Sequence, residues 1–166
     1  LQLLPEGGHL VESTNATIGI VFKNYKDKGI KIKSGSILNS NNRKITEFNT
    51  NQFGLGKASF FYEPNTSYSV SIITQEGEKI TKKIPKAKPI GLALTITNPN
   101  SSFIKATINT NNKTLQNNFG QKYQVLVHNA SSSIKSSFVL KKEHKTYNLI
   151  YSTKKIPTGT NIITVF

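Results

Sequence analysis

The chain has 166 residues and no cysteine, which excludes disulfides, thiolate metal sites and a cysteine nucleophile. Its 22 basic and 8 acidic residues leave a net charge of +14, yet only Arg43 is an arginine, and the excess is spread: 13 basic and 7 acidic residues through Lys88, 9 and 1 from Pro89 on. A diffuse lysine excess without the planar Arg fork argues for a solvated face and a Lys/Asn/Ile-biased composition rather than a specific nucleic-acid site, with weak attraction to anionic partners as the remaining reading.

Leu1 to Leu4 reads as a strand with Leu1 and Leu3 on one face. Pro5 places it at a sheet edge or a switch point. Gly7-Gly8 lets the chain kink, and Leu10-Val11 resumes an extended run. Such a broken first strand can pair with one sheet before the break and with the other after it. Ala16, Ile18, Ile20 and Phe22 then alternate with polar residues, the period-2 signature of a half-buried strand. Asn24 to Gly29 is a polar turn, and Ile30 and Ile32 alternate with Lys31 and Lys33 as in a strand. Asn39 to Asn42 turns, Ile45 to Phe48 is a short strand, and Phe53-Gly54-Leu55-Gly56 is a tight loop. Ala58, Phe60 and Tyr62 oppose Ser59 and Phe61. After Pro64-Asn65, Tyr68, Val70 and Ile72 are expected in the core and Ser67, Ser69 and Ser71 in water. Glu76-Gly77 forms a hairpin into Ile80, Lys82 and Ile84. About seven short strands at this spacing, without helical periodicity, predict a β-sandwich.

Pro85 to Pro89 reads as a short, stiff linker. Beyond it Leu92, Leu94 and Ile96 alternate, Asn98-Pro99-Asn100 turns, and Ile104, Ala106 and Ile108 alternate. Asn111 to Gly120 reads as a polar loop. Strands follow at Tyr123/Val125/Val127, Ile134 to Leu140 and Tyr147/Leu149/Tyr151, and Ile162, Thr164 and Phe166 end the sequence. The expectation is all-β: two tandem β-sandwich domains, residues 1–86 and 87–166, alike in architecture and not in residue-by-residue repeat. A first residue already in a strand, with no Met in the chain, reads as part of a longer protein. No apolar run approaches the roughly 20 residues that span a membrane.

No constellation of residues assembles chemistry. His9, His128 and His144 lack metal-type spacing. The glutamates lie mostly beside turns, where carboxylates are solvated, and do not read as a glycosidase pair. No Ser lies in a G-x-S-x-G elbow. Phe53-Gly54-Leu55-Gly56-Lys57 precedes a strand, so no helix N-terminus is there to hold phosphate. Five N-x-S/T triplets, at Asn15, Asn65, Asn100, Asn112 and Asn129, are what chance supplies, since 18 Asn and 33 Ser or Thr among 166 residues predict roughly four. No catalytic, cofactor-binding or metal-binding residue is assigned, and no cofactor is expected.

Leu3-Leu4-Pro5-Glu6-Gly7-Gly8 with Leu10-Val11-Glu12 resembles the PEGG-type opening of macroglobulin-like (MG2-type) domains in large envelope proteins of Gram-negative bacteria. Phe53 to Phe60 resembles the family's H-x-G-M-G-x-F-x-F stretch. Pro64 to Tyr68 is similar to its P-x-x-G-x-x-Y continuation, without the glycine. Gly91-Leu92-Ala93-Leu94-Thr95 matches the start of the sandwich domain that follows, and Ile156-Pro157-Thr158-Gly159 with Ile162 to Phe166 matches its close. The resemblance implies α2-macroglobulin-type Ig-like domains in a long exported chain, periplasmic or at the cell surface. Some such chains also carry a TonB-dependent receptor plug or a carboxypeptidase-regulatory-like domain. The thioester of true α2-macroglobulins needs a Cys and lies in another domain.

The function expected is a non-catalytic spacer and docking arm whose partners are neighbouring domains of the same chain or another envelope protein. They would touch loop clusters, such as Asn39–Asn42 with Phe53–Gly56, or Asn111–Gly120, or pair with an edge strand. The alternatives are a carbohydrate-binding module or adhesin, with Tyr25, Tyr62, Phe103 and Phe119 as candidates for an exposed aromatic row, and an accessory domain of a polysaccharide-active enzyme.

Overall fold

Alternation of apolar and polar residues builds the first half of the molecule. The computed structural model describes Leu1–Phe166 and divides into two units, Leu1–Pro89 and Ile90–Phe166. The first contains β1 (Gln2–Pro5), β2 (Thr14–Val21), β3 (Ser34–Asn39), β4 (Lys44–Phe48), β5 (Leu55–Tyr62), β6 (Tyr68–Ile73) and β7 (Lys79–Lys83). They form two antiparallel sheets, β1-β2-β5 and β4-β3-β6-β7. The inner faces, Ile18, Ile20 and Phe60 from one and Ile37, Val70 and Ile72 from the other, meet in a single core.

Pro5 lies on an edge strand as expected, since β1 pairs with β2 alone. Gly7 and Gly8 take positive φ, 79° and 85°, and end the pairing. Beyond them Lys88 N–H donates to Leu10 C=O at 2.8 Å and Glu12 N–H to Lys88 C=O at 2.9 Å, a parallel bridge to the segment that continues from β7. The chain therefore does switch partners, through one bridge rather than a ladder. Ala87 is buried in the first core, so the Pro85–Pro89 segment lies against the first unit.

Two expectations need correction here. Ile30 to Lys33 is not a strand: Ile32 is fully buried, its N–H donates to Thr50 Oγ1 at 2.9 Å, and regular pairing starts at Ser34. Ser71 is buried although it points away from the core. It sits mid-sheet between Ser36 and Thr81, and the longer side chains of that face, Leu38, Lys44 and Lys79 among them, wall the hollow it lines.

The second unit contains β8 (Ala93–Asn100), β9 (Phe103–Asn109), α1 (Asn112–Asn118), β10 (Lys122–His128), β11 (Ser133–Val139), β12 (Thr146–Ser152) and β13 (Ile162–Val165). Its sheets are β8-β9-β12 and β11-β10-β13, around a core of Leu94, Ala106, Ile108, Val125, Val127, Phe138, Leu140 and Tyr151. Asn98 to Asn100 is no turn. It belongs to β8, where the register shifts between Thr97 and Asn100, and Pro99 is tolerated because β8 is an edge strand. Asn111 to Gly120 is not a loop, and the chain is not free of helix. Asn111 caps α1, its side-chain oxygen accepting the Thr114 N–H at 2.9 Å. Leu115 is buried below, and Gly120, at φ 78°, follows its end.

Candidate functional site

Strand direction decides which loops meet. In the first unit the connections β2–β3, β4–β5 and β6–β7 leave one end of the sandwich, and β3–β4 and β5–β6 leave the other. The expected grouping of Asn39–Asn42 with Phe53–Gly56 is therefore wrong: β4 separates them and puts them at opposite ends. The loop that does join Phe53–Gly54 is Phe22–Ile30.

Each of these two loops closes on an asparagine. Asn24 Oδ1 accepts the N–H groups of Lys26 and Lys28, both at 3.0 Å, and Asn51 Oδ1 accepts those of Phe53 and Leu55 at 2.9 and 3.0 Å. A side-chain oxygen that captures two backbone donors fixes a turn without help from its neighbours. The loops then lock together. Phe22 N–H donates to Gly54 C=O at 2.9 Å and Ile30 N–H to Phe22 C=O at 3.0 Å. A Cβ on Gly29 would lie 1.9 Å from the Phe53 carbonyl oxygen, and one on Gly54 would lie 2.0 Å from that of Phe22. Beneath them buried Thr50 ties the β4–β5 loop to Ile32.

The clamp presents two aromatic side chains to solvent. Tyr25 is 90% exposed and Phe53 63%, and Leu55 beside them is half exposed. Lys26 Nζ lies 5.5 Å from the Tyr25 ring centre, and Lys23 pairs with Asp27 at 3.0 Å. The chemistry is that of a contact surface: flat apolar rings held on rigid turns, rimmed by ammonium groups.

The other aromatic candidates disperse. Tyr62 is buried at 2% exposure and presents no ring to solvent, whereas Phe103 and Phe119 are exposed and belong to the second unit. Phe53 was absent from that list, although its place between Asn51 and Gly54, in a turn, signalled exposure. No three His, Asp or Glu side chains lie close enough to hold a metal ion.

Not all the acids are solvated: Glu12 is buried and accepts the Asn65 N–H at 3.4 Å. It borders a cleft of about 490 Å³ at the opposite end of the first unit, with Tyr62, Lys83 and Lys86. Burial pushes the Tyr62 hydroxyl above its ordinary 10.0; the bond from Ala87 N–H works the other way, and Tyr68 and Glu12 add to the rise. In the second unit α1 and the segment at Lys142-Glu143 border an open hollow of about 430 Å³, with Leu115 and Phe119 in its wall.

No helix of the molecule is long and apolar enough to cross a membrane. Compared with known proteins, the chain matches no family model and no curated protein. Among solved structures it is similar to the fibronectin(III)-like modules of CbhA from Clostridium thermocellum, at 12% identity over 99% of this chain and 92% of that one, with a TM-score of 0.36. The sandwich assignment accordingly rests on the strand order and the two cores described above.

Proposed function

We propose that this chain is a non-catalytic interaction module, a spacer and docking arm within a larger exported envelope protein of the macroglobulin-like type. The observation that carries the docking role is the clamped loop pair that holds Tyr25 and Phe53 in solvent. Rings fixed on rigid turns contribute contact area at small entropic cost when a partner binds. The macroglobulin-like, exported part of the reading rests on the sequence resemblance alone. The same two rings favour a second reading, carbohydrate binding, because flat aromatic faces also stack on sugars.

Purified protein and its Tyr25→Ala/Phe53→Ala double variant can be titrated with the neighbouring domains of the parent chain and with an oligosaccharide panel. Docking predicts saturable binding of a neighbouring domain that weakens at least tenfold in the double variant. Binding of one oligosaccharide, lost in that variant, transfers the assignment to a carbohydrate-binding module. Turnover of an ester, peptide or glycan, abolished by replacing a carboxylate or histidine of this chain, would overturn the non-catalytic reading.

A further inference from the structure

The outer face of the sheet β4-β3-β6-β7 is built in rows. Ile37, Val70 and Ile72 face the core, so their neighbours Ser36, Leu38, Ser71 and Ile73 face outward. Register aligns Glu47, Ser36, Ser71 and Thr81 in one row across the four strands. On one side of it run Lys44, Leu38, Ser69 and Lys83, and on the other Ser34, Ile73 and Lys79. The two serines at the middle of the row are therefore flanked by longer side chains, and they line a hollow of about 420 Å³. With strands about 4.8 Å apart, the row is roughly 14 Å long.

The floor of this trough is both polar and buried. Ser71 is only 5% exposed, and its hydroxyl, which borders the hollow, makes no hydrogen bond within the protein. The Ser36 hydroxyl beside it makes none either. A hydroxyl at that depth has to be satisfied by what enters the hollow, water or ligand. The backbone offers nothing more, because β3 and β6 are each paired on both sides. Charge sits at the ends of the row. At the β4 end the pairing passes from Ile37–Thr46 to Leu38–Lys44, and this bulge puts Lys44 and Glu47 on one face, where they form an ion pair. At the β7 end Lys79 has no carboxylate partner, so that end is positive.

We infer that this trough binds an acidic glycan, an extended chain of carboxylate-bearing sugar rings laid across the strands. Three features match that ligand. Ring hydroxyls both donate and accept, as the Ser36 and Ser71 hydroxyls do. Leu38 and Ile73, half-buried on either side of the serines, meet the C–H faces of the rings. A ring carboxylate at the β7 end pairs with the Lys79 ammonium. A peptide fits less well, because it would bring backbone groups for which this doubly paired sheet has no free partners. The trough uses neither Tyr25 nor Phe53, so its test stands apart from that of the clamped loops.

The probe is a β-1,4-linked tetraglucuronate, with cellotetraose as its carboxylate-free counterpart. Each is titrated into the 166-residue chain at physiological ionic strength while amide shifts are followed by NMR. Tetraglucuronate is expected to bind saturably and to shift the amides of residues 36, 71 and 79 most, with cellotetraose weaker by about tenfold. Ser71→Val replaces the buried hydroxyl by a methyl group in a strand that accepts β-branched residues, and should weaken binding by about tenfold while the core resonances persist. Lys79→Gln should bring the affinity for tetraglucuronate down to that for cellotetraose. Lys135→Gln makes the same charge change in the second unit and should alter nothing. The inference is overturned if tetraglucuronate at millimolar concentration does not bind, or if Ser71→Val binds it as well as the wild type. It is overturned in favour of diffuse charge attraction if Lys79→Gln and Lys135→Gln weaken binding equally. Equal binding of cellotetraose would mean a neutral glycan, and the same shifts with inorganic phosphate or with a glutamate-rich peptide would mean a general anion site or a protein partner; each of these outcomes also overturns it.

Discussion

Gly29 and Tyr62 carry the structure's demands at single positions. At Gly29 the demand is space, because the Phe53 carbonyl oxygen fills the place of a Cβ at 1.9 Å. Gly29→Ala must push the two clamped loops apart, so its destabilisation should reach roughly 2 kcal/mol or more in a urea melt, in the range of overpacked sites. Gly77→Ala is the control. Gly77 has φ 91° but open space around it, which leaves only backbone strain of about 1 kcal/mol. Equal losses in the two variants would show that the clamp is loose. At Tyr62 the demand is desolvation, which holds the hydroxyl above its ordinary 10.0. The folded chain therefore binds that proton more tightly than the unfolded chain. The stability this contributes is complete below 10.0. It falls away as pH rises from there through the higher folded value, because the unfolded tyrosine ionises first. Urea melts from about pH 8 to about pH 11 should show a steeper alkaline loss for the wild type than for Tyr62→Phe. The variant is also expected to lose about 1 kcal/mol at neutral pH, since the Ala87 N–H that Tyr62 accepts at 3.4 Å loses its partner.

Among the elements, one turn recurs four times. It starts at Asn24, Asn39, Asn51 and Thr74. In each the first N–H donates to the fifth C=O, the fourth N–H donates to the first C=O, and the fourth residue, Asp27, Asn42, Gly54 or Gly77, has positive φ. This is a type I turn with a left-handed residue after it, and the Asn, Asp and Gly content of the sequence marked each one. The strands were legible for a similar reason: with one face buried, Tyr68, Val70 and Ile72 had to alternate with serine. The helix α1 was not legible. Its seven residues bury only Thr114 and Leu115, too short a run to display a helical period, and its signals were the cap at Asn111 and the stop at Gly120. Ser71 was misread because alternation specifies which face a side chain takes and not how far neighbouring strands cover that face. Half of the contact site was legible. Tyr25 stood out as a polar-turn aromatic, but joining Phe53 to it required counting strands, since loops on either side of one strand lie at opposite ends of a sandwich.

For the molecule as a whole, the two cores share no residue, and each unit closes its own sheets. Cooperative unfolding follows shared buried contacts, so each unit is expected to unfold as a separate transition. Val70→Asp tests this. Val70 is fully buried in the centre of the first core, and an aspartate there is an unpaired charge without water, costing roughly 3 kcal/mol or more. That is a large part of what a unit of this size has to lose. Calorimetry of the variant should show one transition shifted to much lower temperature or missing and the other in place. Its NMR spectrum should retain the dispersed amides of residues 90–166 while those of residues 1–89 collapse. Ser69→Asp, on the opposite face of the same strand and half exposed, should leave both transitions close to the wild type, because its carboxylate can reach water. Loss of both transitions together in Val70→Asp would mean that the units stabilise one another, and the molecule would then have to be treated as one cooperative body despite its two cores.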